Sequence, residues 1–169
     1  MNPVSSGNGA AKQELIYMPD PCITFRAASR AITHLYDLVL APTGIKSTQF
    51  IILYAISQKT EIAQWDLSKR YSISVETLSR RLAFLRKSEL VEMHLGPNHN
   101  ERLYKLTEAG RKKLVAAVPY WNRAQGRFLQ VAGLCDWNVT LKAAEKAVIA
   151  AHKAETAKLK NKAAAPVII

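Results

Sequence analysis

The sequence predicts a mainly α-helical fold with one small β-hairpin wing. Apolar residues recur with the 3.6-residue period of a helix along most of the 169 residues, and strand-like segments occur only near the middle of the chain. The third observation is charge. With 24 Lys and Arg against 13 Asp and Glu, the formal net charge is +11, which favours a polyanionic partner such as nucleic acid. The mass of 18.8 kDa fits one domain with an oligomerisation segment.

Composition excludes several classes of protein. An apolar fraction of 49% excludes wholesale disorder. The longest apolar runs, such as Phe50–Ile56, are much shorter than the ~20 residues of a membrane span. The polar segment Met1–Lys12 has no apolar core and does not resemble a signal peptide. Cys22 and Cys135 alone are too few for a disulfide framework or a four-ligand zinc site, so we expect no metal and a reducing cytoplasm. The short apolar runs predict no membrane partner, and no motif predicts a cofactor.

Two helices are predicted after an N-terminal arm. The first covers about residues 22–39, and its apolar stripe, which we expect to be buried, begins at Cys22. The breakers Pro42-Thr43-Gly44 end it. Ser47 is the predicted N-cap of the second helix, Thr48–Ser57, which is apolar on most sides and is therefore expected to be buried.

The middle of the chain combines two short helices with a hairpin. A short strand at Thr60–Ala63 leads into a helix at Gln64–Tyr71, and Ser74 can cap the next helix, Val75–Ser88. The buried stripe of that helix consists of three leucines: Leu78, Leu82 and Leu85. Two strands then flank the polar turn at residues 96–100, namely Leu90–Leu95 and Leu103–Leu106.

Two longer helices complete the chain. Thr107 caps a helix that runs to about Ala132 and contains Pro119, which should kink it. Three apolar residues of this helix lie seven apart, which predicts helix-on-helix packing: Leu114, Trp121 and Phe128. Because one 169-residue subunit has too little sequence left to cover them, we expect this packing to be between subunits. A break at Gly133–Trp137 precedes a last helix from about Val139 to Lys160.

This order of elements predicts a winged helix-turn-helix within a helical dimerisation region. In such a fold a helix enters the major groove of DNA, and the hairpin rests on the neighbouring backbone or minor groove. Four parts are expected: an arm at 1–21, a dimerisation region at 22–46 and 107–160, a DNA-binding domain at 47–106, and a tail at 161–169.

Six short motifs over residues 22–135 resemble the MarR family of transcriptional regulators in sequence and spacing. They are Leu40–Ile45, Gln49-Phe50, Asp66–Ser68, Thr77–Leu82, Leu90-Val91 and Leu106–Gly110. The resemblance implies an obligate homodimer in which the first helix and the last two helices of both subunits interlock. It also implies two winged domains that bind a pseudo-palindromic operator in double-stranded DNA, more often as a repressor than as an activator.

The wing departs from the family pattern. Members of this family usually carry Asp-x-Arg six residues before the leucine of the Leu-Thr pair, and here the sequence is Asn98-His99-Asn100. The nearest arginine is Arg102, two residues later and therefore on the same strand face. We expect Arg102 either to make the family's minor-groove contact from a shifted position or to leave that contact unmade.

Several polar residues are candidates for DNA contact. At the exposed start of the recognition helix, base edges are within reach of Ser74, Thr77, Ser79, Arg80 and Arg81. The alternative for Arg81 is a salt bridge with Glu76 or Glu92. Gln64, at the start of the third helix, can offer backbone amides to a phosphate.

Cys22 has two interpretations. It lies near a helix N-terminus, where the dipole favours a thiolate, and with Ser29-Arg30 and Tyr36 it is similar to the organic-hydroperoxide-sensing branch of the family. Fourteen residues of helix span about 21 Å, so only antiparallel first helices in a dimer would bring Cys22 to Tyr36 of the other subunit. A second tyrosine of that branch is replaced here by Arg26. The other interpretation is a small buried packing residue.

A second set of residues suggests an effector pocket. Arg26, Arg30 and His34 are four residues apart on one helix face. In the family, the groove between dimerisation helices and winged domain binds small aromatic acids. We therefore predict that the three cations, beside Phe50 and Trp121, hold an aromatic carboxylate. The alternative is that these cations pair with acids such as Asp37 or face water.

The sequence contains no Gly-rich phosphate loop, metal-ligand cluster or nucleophile motif, so we predict that the protein is not an enzyme. Three functions remain open. The first is a dimeric repressor released by an aromatic ligand, the second a redox-sensing repressor that acts through Cys22, and the third a module that binds protein rather than DNA.

Overall fold

The computed structural model describes residues 20–71, 73–97 and 101–163. The N-terminal arm, the wing tip at residues 98–100 and the end of the tail lie outside the described residues, apart from Asp20 and Pro21 of the arm. The elements are α1 (Pro21–Leu40), a 3-10 turn (Ala41–Thr43), α2 (Ser47–Ser57), β1 (Ile62–Ala63), α3 (Gln64–Tyr71), α4 (Val75–Lys87), β2 (Val91–Leu95), β3 (Arg102–Leu106), α5 (Glu108–Ala132) and α6 (Leu134–Ala163).

The three strands form one antiparallel sheet in the order β1-β3-β2. The predicted hairpin is confirmed, with Val91 opposite Leu106 and Leu95 opposite Arg102. The short strand β1 adds to its other side, where Ile62 lies opposite Tyr104. Because β1 leads directly into α3, this pairing fixes the start of the helix-turn-helix against the wing.

The hydrophobic core lies where α2 and the helix-turn-helix meet the sheet. The prediction that α2 is buried on most sides is confirmed, as is the leucine stripe of α4. The largest side chains that are completely buried come from α1, α2, α3 and α4: Leu40, Ile52, Leu53, Ile56, Leu67, Leu78, Leu82 and Leu85. The core therefore holds α4 by one face and leaves the opposite face exposed.

Two of the three predicted helix caps are confirmed. The Ser74 hydroxyl accepts a hydrogen bond from the Thr77 amide (3.3 Å), and the Thr107 hydroxyl accepts one from the Gly110 amide (2.9 Å). Thr107 also donates to the Glu89 carbonyl (2.6 Å), which joins α5 to the turn after α4. Both caps act within three residues along the chain, as N-caps do.

The corner between α1 and α2 is capped differently from the prediction. Ser47 is not the N-cap: Lys46 is, and the Ser47 hydroxyl is buried without a hydrogen-bond partner among the described residues. The Ser47 amide donates instead to Asp37 Oδ1 of α1 (2.7 Å), and the Gln49 side chain accepts from the Lys46 amide (2.7 Å). Lys113 of α5 donates to the Thr43 carbonyl (3.1 Å). The Asp37 carboxylate, ten residues upstream, thus accepts from a free amide at the start of α2, a role expected of the Ser47 hydroxyl.

The break between the last two helices is shorter than predicted. It consists of Gly133 alone, with φ of +73°, and α6 begins at Leu134 rather than near Val139. A glycine in this conformation ends α5 without needing a longer loop, and its amide donates to the Leu129 carbonyl (2.9 Å).

The prediction that one subunit cannot cover the heptad-spaced residues was wrong, because the chain itself buries Leu114 and covers Trp121 and Phe128 in part. Leu114 is only 6% exposed, in the core of the winged domain. Trp121 stacks on Phe50 with ring centroids 4.3 Å apart, and Phe128 meets Trp137 edge-to-face at 4.6 Å. Outside the winged domain, several exposed apolar side chains lie on the first half of α1, the end of α5 and α6: Ile23, Phe25, Val131, Leu134, Val139, Leu141, Val148 and Ile149.

Among the described residues, no single helix has both the length and the hydropathy needed to cross a membrane. One bent pair, Pro21–Thr43 with Ser47–Ser57, meets those two criteria jointly, with an angle of 76° between its parts.

Candidate nucleic-acid interface and effector pocket

The start of α4 is organised by hydroxyl groups. Ser74 caps the helix and donates to the Thr77 hydroxyl (3.0 Å), so the two side chains are already hydrogen-bonded to each other. Glu76 is fully exposed, and its pKa lies below the usual value because of its own backbone amide, the Ser74 hydroxyl and the nearby Arg80. The predicted residues Ser74 and Thr77 therefore stabilise the N-terminus of α4.

Gln64 has a role that the sequence did not reveal. Its side chain is 8% exposed, donates from Nε2 to the Ser79 hydroxyl (2.6 Å) and accepts from the Tyr104 hydroxyl (3.2 Å). It thereby joins the start of α3 to α4 and to β3. The Gln64 side-chain amide is thus satisfied within the protein, in part by Tyr104, 40 residues further along the chain, whereas the phosphate contact by backbone amides at the start of α3 stays a prediction. Ser79, a predicted base reader, is half-buried and holds this bond.

Arg80 and Arg81 differ in exposure. Arg80 is exposed on the outward face of α4, one turn after Glu76, whereas Arg81 is half-buried. The alternative of a salt bridge for Arg81 is not seen: within residues 20–71, 73–97 and 101–163 the ion pairs do not include it, and Glu92 pairs with Lys105 at 3.2 Å. Both guanidinium groups therefore remain available to a ligand.

Arg102 lies beside the recognition helix. It is the first residue of β3, is exposed, and lines a groove of 310 Å³ together with Trp65 and Glu101. The groove is closed by Gln64 and by Val75 and Ser79 of α4. Trp65 is 63% exposed at the start of α3 and was not predicted. The available signal was a large aromatic side chain in a short helix whose one leucine, Leu67, supplies the buried face.

Phe84 is a second residue that the sequence analysis missed. It lies on α4, one turn after Arg80, and is 55% exposed. Its signal was also available, because the stripe of Leu78, Leu82 and Leu85 already accounts for the buried face of the helix.

The predicted effector pocket forms only in part. Phe50 and Trp121 line a cavity of 440 Å³ between α2, α3 and α5, and Tyr36 meets Trp121 edge-to-face at 4.5 Å. The other lining residues include two tyrosines and two amides that were not predicted: Tyr54, Tyr71, Asn122 and Gln125.

The cationic ladder does not belong to this cavity. Arg26, Arg30 and His34 are exposed on α1 and are not among the lining residues, because α1 packs on α5 while α2 and α3 close the cavity. Burial raises the pKa of Tyr71, partly offset by Arg70, and burial also raises the pKa of Tyr36. Both phenols therefore remain protonated hydrogen-bond donors over a wide range of pH.

Cys22 is exposed, so the prediction that it lies on a buried stripe was wrong. The buried positions of α1 are Val39 and Leu40, because the first half of the helix extends beyond the core of its own chain. The Cys22 amide donates to Asp20 Oδ1 (2.7 Å), so a carboxylate caps the helix next to the thiol. Cys135 is also exposed, in the first turn of α6. No cluster of metal-ligating side chains occurs among the residues that the structure describes.

Comparison with known proteins identifies the fold among solved structures. Neither the protein-family models nor the curated proteins gave a match. The transcriptional regulator MosR of M. tuberculosis, in complex with DNA, is 30% identical over 80% of this chain and 98% of its own, with a TM-score of 0.74. A second structure of MosR gives 30% identity, 79% and 96% coverage and a TM-score of 0.69.

A variant of MarR from E. coli, complexed with operator DNA, has the same fold at 24% identity. That similarity covers 75% of this chain and 91% of MarR, with a TM-score of 0.65. MosR is a transcriptional regulator, and MarR shares the fold of this chain. At 30% identity over nearly the whole of MosR, this chain belongs to the MarR family of winged helix-turn-helix transcriptional regulators.

Proposed function

We propose that the protein is a dimeric repressor that binds a specific sequence in double-stranded DNA and leaves it when a small aromatic ligand binds. The observation that carries the DNA-binding part is the outward face of α4. Its buried face consists of three leucines, and its exposed face presents Arg80 and Lys87 to solvent. A helix held in this way can enter the major groove without losing its packing.

The surroundings of α4 favour a nucleic acid as the partner. Arg102 and Trp65 border the groove next to the start of the helix, where a phosphate backbone would run alongside. The formal charge of +11 supplies long-range attraction to a polyanion. The carboxylates of Glu101 and Glu76 also lie on this surface and repel phosphate. Attraction of DNA to the surface therefore depends on the neighbouring Arg102 and Arg80.

The test of DNA binding is its dependence on salt. Fluorescence anisotropy with a labelled duplex should show affinity that falls by about 10³-fold or more between 50 and 200 mM salt, because bound phosphates release counterions. A single strand of the same length should bind more weakly. Duplex affinity that is absent at both salt concentrations, or independent of salt, would favour the alternative of a protein-interaction module.

Dimerisation is proposed from the exposed apolar side chains outside the winged domain. Ile23 and Phe25 on α1, and Val139, Val148 and Ile149 on α6, are large apolar side chains that one chain leaves exposed, and exposed apolar patches mark interaction surfaces. A second copy of the chain would cover it isologously, and its two-fold symmetry would match a pseudo-palindromic operator. The expected particle mass is twice 18.8 kDa.

The cavity between α2, α3 and α5 is the proposed effector site. Its walls are aromatic at Phe50, Tyr54 and Trp121, which suits a flat ring. The polar groups at its edge are the uncharged side chains of Asn122 and Gln125. With the cations of α1 outside, the lining favours an aromatic ligand with a neutral hydrogen-bonding group, such as a phenol, over a carboxylate.

Ligand binding can be followed through tryptophan fluorescence, with phenol and benzoate as probes. We expect phenol to quench the wild-type protein and the control variant Trp65→Phe in a saturable manner, since a ring in the cavity would lie against Trp121. Trp121→Phe should lose that component. Equal saturable quenching in Trp121→Phe, or saturation by benzoate alone, would contradict this assignment.

The redox alternative stays a prediction. Cys22 lies next to Ile23 and Phe25, on the part of α1 that a second copy of the chain would cover, so oxidation of its thiol would act on the proposed dimer interface. The aromatic cavity forms within one chain, and we therefore favour release by a ligand.

A further inference from the structure

We propose that Phe84 is a specificity-determining residue, which recognises the 5-methyl group of a thymine in the major groove next to the base that Arg80 contacts. The proposal deepens the DNA-binding function above and rests on it. It concerns the aromatic side chain on α4 that the packing of the chain leaves in water.

Phe84 lies on the side of α4 that faces away from the core. The core takes Leu78, Leu82 and Leu85. With 3.6 residues per turn, the opposite side of α4 consists of five residues that are all exposed: Glu76, Arg80, Ala83, Phe84 and Lys87. Phe84 therefore belongs to the same surface as Arg80, one turn later.

The described chain leaves more than half of the Phe84 surface in contact with water. Phe84 is 55% exposed, and the other large apolar residue exposed on α4, Val75, borders the groove with Arg102 and Trp65. Ala83 next to Phe84 leaves space around the ring. A surface that only needed to attract phosphate would carry a lysine or arginine at this position, as Arg80 and Lys87 do on either side.

The major groove of DNA presents one apolar group that an exposed phenylalanine ring can contact. The floor of the major groove offers polar atoms on every base pair, and the thymine methyl group is its apolar feature. A phenylalanine ring can contact that methyl group, whereas an alanine at the same position would be too short to reach it, and arginine pairs with the N7 and O6 atoms of guanine. Four helical residues rise about 6 Å, and bases are spaced about 3.4 Å along a strand. A thymine contacted by Phe84 should therefore lie within about two base pairs of the guanine contacted by Arg80.

The experiment removes one methyl group at a time. A preferred duplex is first selected from a random library with the wild-type protein, and each thymine is then replaced by uracil, which differs only in the missing methyl group. At one thymine position in each half-site, replacement should weaken wild-type binding about fourfold, the value expected for one buried methyl group. For Phe84→Ala, thymine and uracil should bind equally at that position.

Two variants serve as controls. Phe84→Leu keeps an apolar contact and should keep most of the preference for thymine. Trp65→Ala removes an exposed aromatic residue from α3 instead of α4, and it should preserve the fourfold difference even if it weakens all duplexes.

The possible outcomes separate this proposal from the function on which it rests. Salt-dependent duplex binding that is unchanged by every uracil replacement would overturn the role of Phe84 and leave DNA binding intact. A preference for thymine that persists in Phe84→Ala would assign the methyl contact to another residue. The absence of duplex binding by the wild type would overturn both.

Discussion

Replacement of Gly110 by alanine should lower the free energy of unfolding by about 3 kcal/mol, at the upper end of the cost of overpacking. Gly110 is buried in the first turn of α5, and a Cβ there would lie 1.9 Å from the Leu90 carbonyl oxygen and 2.9 Å from its carbon. Both are backbone atoms that cannot rotate away. Urea unfolding followed by circular dichroism, at one fixed protein concentration, would measure the change.

Gly126→Ala is the matched control in the same helix. A Cβ at Gly126 meets nothing within 4 Å. Alanine there should raise the free energy of unfolding by about 0.5–1 kcal/mol, because glycine loses more backbone entropy in a helix. If the two variants shift stability in the same direction, the close contact at Leu90 is not what requires a glycine at position 110.

Arg80→Ala should weaken binding to the preferred duplex by about 1–3 kcal/mol, or about 5- to 150-fold, if the guanidinium pairs with a guanine. The preference for that base should disappear, while binding to unrelated duplexes changes less. Anisotropy titrations with the preferred duplex and with single-base variants of it would measure both effects.

Arg123→Ala is the matched charge control. Arg123 lies on α5 over the Tyr120 ring, 5.4 Å from its centroid, and is not part of the α4 surface. Its removal should change duplex affinity by less than about twofold, as expected for a distant screened charge. Light scattering should report twice 18.8 kDa for both variants, which excludes loss of the dimer as the cause. Base preference that is unaltered in Arg80→Ala would contradict its role as a reader.

The parts of the fold that depend on neighbouring residues could be predicted from the sequence. Ser74 and Thr107 cap their helices because each hydroxyl reaches an amide three residues ahead, and the leucine period of α4 is visible without any tertiary information. The family resemblance, built from several short motifs, was confirmed by the solved structures.

The parts that depend on distant residues could not be predicted. Gln64 is buried because Tyr104 and Ser79 satisfy its amide, and no local pattern announces that. The α1 cations were placed beside Phe50 by analogy with the family's ligand groove, and the helical period that puts them on one face describes one helix only. It does not say that α2, α3 and α5 would form the cavity.

The bond between Asp37 and Ser47 has a mechanical consequence. The corner at residues 41–46 contains a 3-10 turn and Gly44 with φ of +72°, and it has the outward features of a hinge between the dimerisation region and the winged domain. Yet Asp37 clamps the first amide of α2, and Lys113 clamps the Thr43 carbonyl. Opening the charged Asp37 bond alone would cost about 1.5–3 kcal/mol. These two hydrogen bonds therefore oppose bending at the corner between α1 and the winged domain.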